Sequence, residues 1–265
     1  MTQLRTRISN KLRHWLGYGE ICRELDHYRL RAEADVASFI HLLEHHQVIS
    51  LGQDARRASL LARLVGTSID EGLYVCNSLS RVASIPGDVC EFGVAQGATS
   101  ALIANEIAAT GKSLWLYDSF EGLPAPTRED VLIDDIFALG SMEKYAGTMR
   151  CSETEVTSRL DQIHFPSERY WIVKGYFANT PETRGPDTIS FAYIDFDFYK
   201  PIKDALEFVD ERTAGGAQVI VDDYGFFSAG AKTAVDEFVS GASGRWELSL
   251  PLPFCAKFCV LKKRA

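Results

Sequence analysis

Residues 87–107 read GDVCEFGVAQGATSALIANEI, and this stretch decides the fold class. Its first part is a short apolar run that ends at Gly93, which is typical of a buried strand followed by a tight turn. From Ala98 onward, apolar residues recur at helical spacing until Gly111 ends the helix. A strand that passes through a glycine turn into a helix indicates the start of a βα unit.

The same alternation of strand and helix continues to the C-terminus. Helices are predicted in SETEVTSRLDQI, PIKDALEFVDERT and AKTAVDEFVS. Further strands are predicted in SLWLYDSF, RYWIVKG, ISFAYIDFD, GGAQVIVDDYG, RWELSL and KFCVLKK. Because most of these strands are apolar throughout, we predict a mostly parallel sheet that helices cover on both faces, which is an α/β fold.

The N-terminal part of the chain has a different pattern. Residues 1–75 show helical spacing and no strand pattern, so we predict an N-terminal helical region there and an α/β domain over residues 76–265. Residues 4–19 form a basic amphipathic pattern, which is found both in helices on membrane surfaces and in helices that pack on protein. We favour subunit contacts, and hence a homo-oligomer, over a membrane surface.

Composition and charge exclude some classes of function. The chain has 265 residues, of which 46% are hydrophobic, and a formal net charge of -8. A negative protein is poorly suited to nucleic acid, because binding phosphates requires a basic surface. No apolar stretch is long enough to cross a bilayer, and we expect a cytoplasmic protein with a small-molecule ligand.

The residues that end each predicted strand point to a binding site. In a parallel sheet of this kind, ligands bind outside the carboxyl ends of the strands. Most of the residues at these ends are aspartates, and a buried carboxylate is costly without a partner. We therefore expect a polar site at this edge. The strand-end residues are Glu91, Gly93, Asp118, Gly175, Asp195, Asp197, Asp222 and Asp223.

The glycine turn and the acid that ends the second strand suggest one kind of ligand. Gly93 and Gly97 bring the backbone close to a helix N-terminus, which favours a carboxylate or phosphate. Asp118 occupies a position where an acid commonly binds a ribose diol. Each feature alone also fits a structural turn. Together they favour a ligand with a ribose and a small anionic group.

The two acidic pairs suggest a metal. In a strand, the spacing of Asp195 and Asp197 would place both side chains on one face. Asp222 and Asp223 end the next predicted strand, and carboxylates of this kind suit Mg²⁺. Three of the four would surround the ion and the fourth would accept a proton. Capping of the following helix would explain one of them but not four.

Five segments of the chain resemble one protein family. They are IPGDVCEFGVAQGATS, LYDSFEGLPAP, IVKGYFANTPET, AYIDFDFYKPIKDALEF and GGAQVIVDDYGFFSAGAKTAVDEF, and in this order they resemble the macrocin O-methyltransferase (TylF/MycF-type) family. The resemblance implies a Rossmann-like, seven-stranded class I methyltransferase sheet with an N-terminal helical extension. It implies the cofactors S-adenosyl-L-methionine and Mg²⁺, an acceptor hydroxyl on a sugar or glycosylated natural product, and often a dimer.

The resemblance also implies roles for individual residues. The metal ligands would be Asp195, Asp222 and Asp223, and Asp197 would be the general base. The remaining positions would hold the cofactor, with the glycine turn at its methionine end and Asp118 at its ribose. The predicted cofactor-binding residues are Glu91, Gly93, Gly97, Thr99, Ser100 and Asp118.

Three alternatives use the same residues differently. A haloacid dehalogenase-type phosphatase also uses D-x-D around Mg²⁺, but there the pair lies on the first strand, and here it comes late. A sugar-nucleotide transferase with a D-x-D metal site would leave the glycine turn unexplained. A non-catalytic assembly protein with a methyltransferase-like core would not need all four aspartates. Residues 123–147 are long and rich in loop signals, which favours a lid over the strand ends.

Overall fold

The computed structural model describes residues 27–177, 184–253 and 255–265. Seven strands form one sheet in the order β3-β2-β1-β4-β5-β7-β6. The first five are parallel, whereas β7 runs antiparallel to β5 and β6 runs antiparallel to β7. The predicted seven-stranded α/β sheet is confirmed. Its strands are β1 (Asp88–Phe92), β2 (Leu114–Asp118), β3 (Tyr170–Lys174), β4 (Ile189–Ile194), β5 (Thr213–Val221), β6 (Trp246–Ser249) and β7 (Cys259–Lys263).

Helices cover both faces of this sheet. Ser152 caps the predicted helix that follows it, because its hydroxyl accepts a hydrogen bond from the amide of Thr154. The predicted N-terminal helix over residues 4–19 lies outside the described residues. The described helices are α1 (residues 27–45), α2 (Arg57–Leu61), α3 (Ile69–Arg81), α4 (Ala98–Ile107), α5 (Glu153–Gln162), α6 (Tyr199–Arg212) and α7 (Ala229–Gly241), with short 3₁₀ helices at Met142–Tyr145 and Ser167–Arg169.

The core has one layer on each side of the sheet. Within β1, Cys90 and Phe92 belong to the layer that includes residues of α6 and α7. Val89 belongs to the opposite layer, with residues of α3, α4 and α5. Every side chain of β4 is buried. Burial on both faces is the physical reason that these strands are apolar throughout instead of alternating.

A third group of buried residues connects the N-terminal helices to the sheet domain. Leu61, Leu73 and Leu102, from α2, α3 and α4, are fully buried in it. The predicted boundary between residues 75 and 76 falls inside α3, so one helix belongs to both sides of that boundary. The N-terminal helices therefore share a core with α4, the helix that follows the glycine turn.

Candidate active site

The turn between β1 and α4 is held in a left-handed backbone conformation. Gly93 has φ 89° and Gly97, the N-cap of α4, has φ 78°. A Cβ atom on Gly97 would lie 3.0 Å from the Cα of Val156, so close packing against α5 requires the glycine there. Among the residues that the structure describes, no side chain caps the first turn of α4, which leaves its amides free to face an anionic group. The cofactor-binding role of both glycines stays a prediction.

Asp118 at the end of β2 fixes this turn. Its Oδ2 accepts hydrogen bonds from the amides of Val94 (2.8 Å) and Ala95 (2.9 Å). Its Oδ1 accepts from the amide of Phe120 (2.6 Å). Since a carboxylate offers about four acceptor positions, roughly one is left for a ligand. Asp118 thus has the structural role at a turn that the sequence left open, and its predicted contact with a ribose stays a prediction.

Glu91 lies inside the protein beside the same turn. Its side chain is fully buried, and neither carboxyl oxygen has a hydrogen-bond partner among the described residues. Burial raises the pKa of Glu91 to about 8, against a smaller opposing effect of the nearby Ser100 hydroxyl. Ser100 is itself buried without a hydrogen-bond partner in the described part of the chain. Unpaired polar groups under a ligand-binding turn are typical of a site that pairs them when a ligand is present.

Three of the four predicted acids converge beyond β4 and β5. Carboxylate oxygens of Asp195, Asp197 and Asp223 lie within 4.8 Å of one another, which is close enough to share an ion. The strand β4 ends at Ile194, so strand alternation does not bring Asp195 and Asp197 together, as the sequence had suggested. A turn does so instead, with Asp197 at φ 59° and Asp223 at φ 57°. Positive φ values at such residues are concentrated at functional sites.

The fourth acid, Asp222, points to different neighbours. Its Oδ1 accepts from the amide of Asp223 (2.7 Å), and its carboxyl group lies beside the Tyr193 hydroxyl and the carboxyl group of Glu71. The Tyr193 hydroxyl donates in turn to Oε1 of Glu71 (3.2 Å). Glu71 belongs to α3, and sequence reasoning missed it because Ser68 and Glu71 read as an ordinary helix-capping pair.

Five carboxyl groups therefore lie together, of which Glu71 and Asp223 are buried and the other three are half-buried. Burial is the largest cause that raises the pKa of each group, and repulsion from Asp222 is the next cause for all but Asp222 itself. In the described part of the chain, no Lys, Arg or His side chain forms an ion pair with any of them. The group consists of Glu71, Asp195, Asp197, Asp222 and Asp223, and we call it the acidic pocket.

A chain of hydroxyl groups links the acidic pocket to α4. The Thr67 hydroxyl lies 2.7 Å from that of Thr99 and 3.4 Å from that of Tyr193. Thr99 is in the first turn of α4, where it was predicted to face the cofactor. Its hydroxyl contacts that of Thr67, and the cofactor-binding role of Thr99 stays a prediction. Its backbone amide stays among the predicted cofactor contacts.

The predicted lid packs beside the acidic pocket. Residues 123–147 are irregular apart from the 3₁₀ helix Met142–Tyr145. Asp130 is buried and accepts hydrogen bonds from the Tyr199 amide (2.8 Å) and the Ser228 hydroxyl (3.1 Å). These contacts anchor the segment to the starts of α6 and α7, which follow the two pairs of aspartates. Its closing movement stays a prediction.

Comparison with known proteins gives consistent matches. The chain matches the macrocin O-methyltransferase (TylF) family over residues 44–245. It is 25% identical over 197 residues, 73% of this chain and 72% of the relative, to the 8-demethyl-8-(2,3-dimethoxy-alpha-L-rhamnosyl)-tetracenomycin-C 4'-O-methyltransferase of Streptomyces olivaceus. It is 29% identical over 158 residues, 58% of this chain and 59% of the relative, to the demethyldecarbamoylnovobiocin O-methyltransferase of Streptomyces niveus.

Solved structures show the same fold. The O-methyltransferase NovP superposes with a TM-score of 0.63 at 23% identity, covering 75% of this chain and 81% of its own. The calicheamicin methyltransferase CalS11 superposes with a TM-score of 0.58 at 20% identity, covering 80% and 95%. These likenesses show a shared fold.

The seven-stranded sheet and its likeness to a solved O-methyltransferase define the class I methyltransferase fold. Since the family match spans more than half of the chain, this protein belongs to the macrocin O-methyltransferase (TylF) family. It is therefore an S-adenosylmethionine-dependent O-methyltransferase of a family that acts in natural-product chemistry. That conclusion replaces the phosphatase and sugar-nucleotide transferase alternatives. Among the residues that the structure describes, no helix combines the length and the apolar character needed to cross a membrane.

Proposed function

We propose that this enzyme methylates a hydroxyl group on the sugar of a glycosylated small molecule, and that it uses Mg²⁺ to do so. The acceptor class is supported by the two curated relatives, one of which is named for a rhamnosyl-bearing substrate. The observation that carries the metal is the acidic pocket, in which five carboxyl groups lie together without a basic partner among the described residues. Such a group needs bound protons or a cation.

The residues around the glycine turn fit the cofactor. S-adenosylmethionine supplies an electrophilic methyl group and carries an ammonium, a carboxylate and a ribose. The uncapped first turn of α4 suits the carboxylate, and the unpaired Glu91 carboxyl suits a cationic or donor group. Asp118 keeps about one free acceptor position for a ribose hydroxyl. We assign these contacts, with Gly93 and Gly97, to cofactor binding.

The acidic pocket fits a hard divalent cation. Mg²⁺ supplies positive charge that lets neighbouring carboxylates ionise together and makes a nearby hydroxyl more acidic. Asp195 and Asp223 belong to the converging group and are the first two proposed ligands. The family resemblance assigns the third ligand position to Asp222, which directly precedes Asp223 in the chain. Asp197 then accepts the proton of the acceptor hydroxyl, for which its position beside both ligands is suitable.

An experiment on the metal tests this assignment. EDTA should abolish methyl transfer to a glycoside acceptor, and added Mg²⁺ should restore it. Asp195→Asn should lose metal affinity, so that part of its activity returns at high Mg²⁺. Asp197→Asn should bind metal and S-adenosylhomocysteine normally but lose turnover by about 10²–10⁴-fold.

Each part of the proposal has its own contradicting result. Methyl transfer that is unchanged in EDTA would show that the reaction does not use a metal. If the assignment is right, Asp197→Asn cannot lose metal affinity while Asp222→Asn keeps it. That pair of results would show that Asp197 is the third metal ligand and that Asp222 is the base. The structure makes that exchange the sharpest alternative, because Asp197 and not Asp222 lies with Asp195 and Asp223.

We further propose that the enzyme is a cytoplasmic homodimer whose N-terminal residues serve subunit contacts. The amphipathic spacing over residues 4–19 supports this. Deleting residues 1–20 should lower the mass measured by light scattering. An unchanged mass, with full-length protein that floats with anionic liposomes, would favour the membrane-surface reading instead.

A further inference from the structure

Glu71 is a buried carboxylate for which the proposed chemistry has no role. It occupies the third position of α3 and is 1% exposed. A glutamate at this position commonly caps its own helix by reaching back to the N-cap amide. Here the Ser68 hydroxyl accepts from the Glu71 amide, but the Glu71 carboxyl group accepts from the Tyr193 hydroxyl (3.2 Å) and lies beside the carboxyl group of Asp222. The side chain is therefore turned from its helix toward the acidic pocket.

The position of α3 is fixed from two sides. A Cβ atom on Gly72 would lie 2.6 Å from a methyl group of Leu64, so the backbone of α3 packs closely against the segment that follows α2. On its other side, Asp70 Oδ2 accepts from the amide of Ala256 (2.7 Å), and the Tyr74 hydroxyl accepts from the amide of Leu252 (3.2 Å). Glu71 is thus held on a rigid element, as a residue that orients a neighbouring ligand must be.

We propose that Glu71 is a positioning residue of the metal site, which orients Asp222 from beside it while the Tyr193 hydroxyl fixes the Glu71 carboxyl group. This inference rests on the proposed function, since it requires Asp222 to act at a metal. Carboxylate ligands of metals are commonly oriented by such hydrogen-bonded neighbours, and losing one costs about 10–100-fold in metal affinity. The N-terminal part of α3 thereby contributes to the active site.

Two substitutions of similar size separate positioning from other roles. In Glu71→Gln, the side-chain amide can donate to Asp222 while its carbonyl oxygen accepts from Tyr193, so both contacts survive without the charge. In Glu71→Leu, both contacts are lost. A control for helix packing is Leu73→Ala. Leu73 is fully buried on the same helix, but it belongs to the group of buried residues that connects the N-terminal helices to the sheet domain.

The experiment measures Mn²⁺ binding to the full-length protein by electron paramagnetic resonance, with thermal unfolding measured in parallel. Glu71→Leu should weaken Mn²⁺ binding by about 10–100-fold, whereas Glu71→Gln should stay within about threefold of wild type. Leu73→Ala should unfold at lower temperature with unchanged Mn²⁺ affinity. If Glu71→Leu does not fold, Tyr193→Phe, which removes one of the two contacts, should still show a smaller loss of affinity.

The contradicting results are distinct from a failure of the proposed function. If wild-type protein binds no Mn²⁺, the metal part of the proposed function is wrong and the role of Glu71 falls with it. If wild type binds Mn²⁺ and Glu71→Leu binds it equally well, only the inference about Glu71 is wrong. If Glu71→Gln loses as much affinity as Glu71→Leu, the charge itself is needed, and Glu71 is a ligand and not a positioning residue.

Discussion

A Cβ atom on Gly93 would lie 1.8 Å from the carbonyl oxygen of Asp195. The glycine turn, to which we assign the cofactor, and the acidic pocket therefore meet through their backbones. The amide of Asp195 also donates to the carbonyl oxygen of Phe92 (2.7 Å), next to that glycine. Any shift of the turn moves the first proposed metal ligand, which couples the two halves of the site mechanically.

We predict that Gly93→Ala damages both halves. The new methyl group cannot fit against Asp195, and the φ of 89° is itself unfavourable for alanine. The variant should lose more than about 2 kcal/mol of unfolding free energy and bind both S-adenosylhomocysteine and Mn²⁺ more weakly. Gly111→Ala is the matched control, since a Cβ there meets nothing within 4 Å. Normal binding of both ligands by Gly93→Ala would contradict the coupling.

Asp118 should affect both the turn and the cofactor. Asp118→Ala removes the acceptor of three backbone amides, so S-adenosylhomocysteine binding measured by calorimetry should weaken by about 1–3 kcal/mol and the protein should unfold at lower temperature. Asp118→Asn keeps one acceptor oxygen and should lose less. Substituting the exposed Asp187 by Ala should change neither quantity. Unchanged cofactor affinity in Asp118→Ala would leave this aspartate with a purely structural role.

Glu91 should make the cofactor-free protein less stable as pH rises. Its pKa is raised from an ordinary value near 4.5 to about 8 in the folded state. Between these values the folded state holds the proton that the unfolded state has released, so the free energy of unfolding falls from about pH 5 to about pH 8. Below pH 4.5 both states are protonated and the effect is absent.

Comparison with Glu91→Gln measures this effect. The amide cannot ionise, so the variant should match wild type near pH 5 and become progressively more stable than wild type toward pH 8.5. The difference should approach a few kcal/mol, at about 1.4 kcal/mol for each unit of pKa shift. Urea unfolding across this range checks the prediction. If the difference in unfolding free energy between the variant and wild type is the same at all pH values, burial does not raise the pKa of Glu91.

The N-terminal helices should depend on one buried ion pair. Arg57 of α2 donates from Nε and Nη2 to the two carboxylate oxygens of Glu106 on α4, at 2.9 and 2.8 Å. Arg57→Ala leaves that carboxylate unpaired and should cost about 3–5 kcal/mol of unfolding free energy. The exposed pair Lys232–Asp236 is the control, and Lys232→Ala should cost less than about 1 kcal/mol. A double variant, Arg57→Met with Glu106→Leu, should recover much of the loss.

The sequence by itself determined the sheet and the edge that carries the site. Apolar runs such as β4 predict parallel strands that helices cover on both faces, and their ends mark where the chain turns toward a ligand. The glycines at the β1–α4 turn are detectable because only a residue without Cβ tolerates that backbone and that packing. The family resemblance then supplied the chemistry.

Only the tertiary structure decided which acids meet. Periodicity assigns a residue to a face of its own strand or helix, but it carries no information about how two distant segments lie against each other. β4 ended before Asp195, so a turn, not strand alternation, brought Asp197 to it. Asp222 lies beside Glu71, a residue that reads locally as a helix cap, because the start of α3 packs against Tyr193 of β4. Long-range packing, which only the folded chain establishes, placed that carboxylate in the acidic pocket.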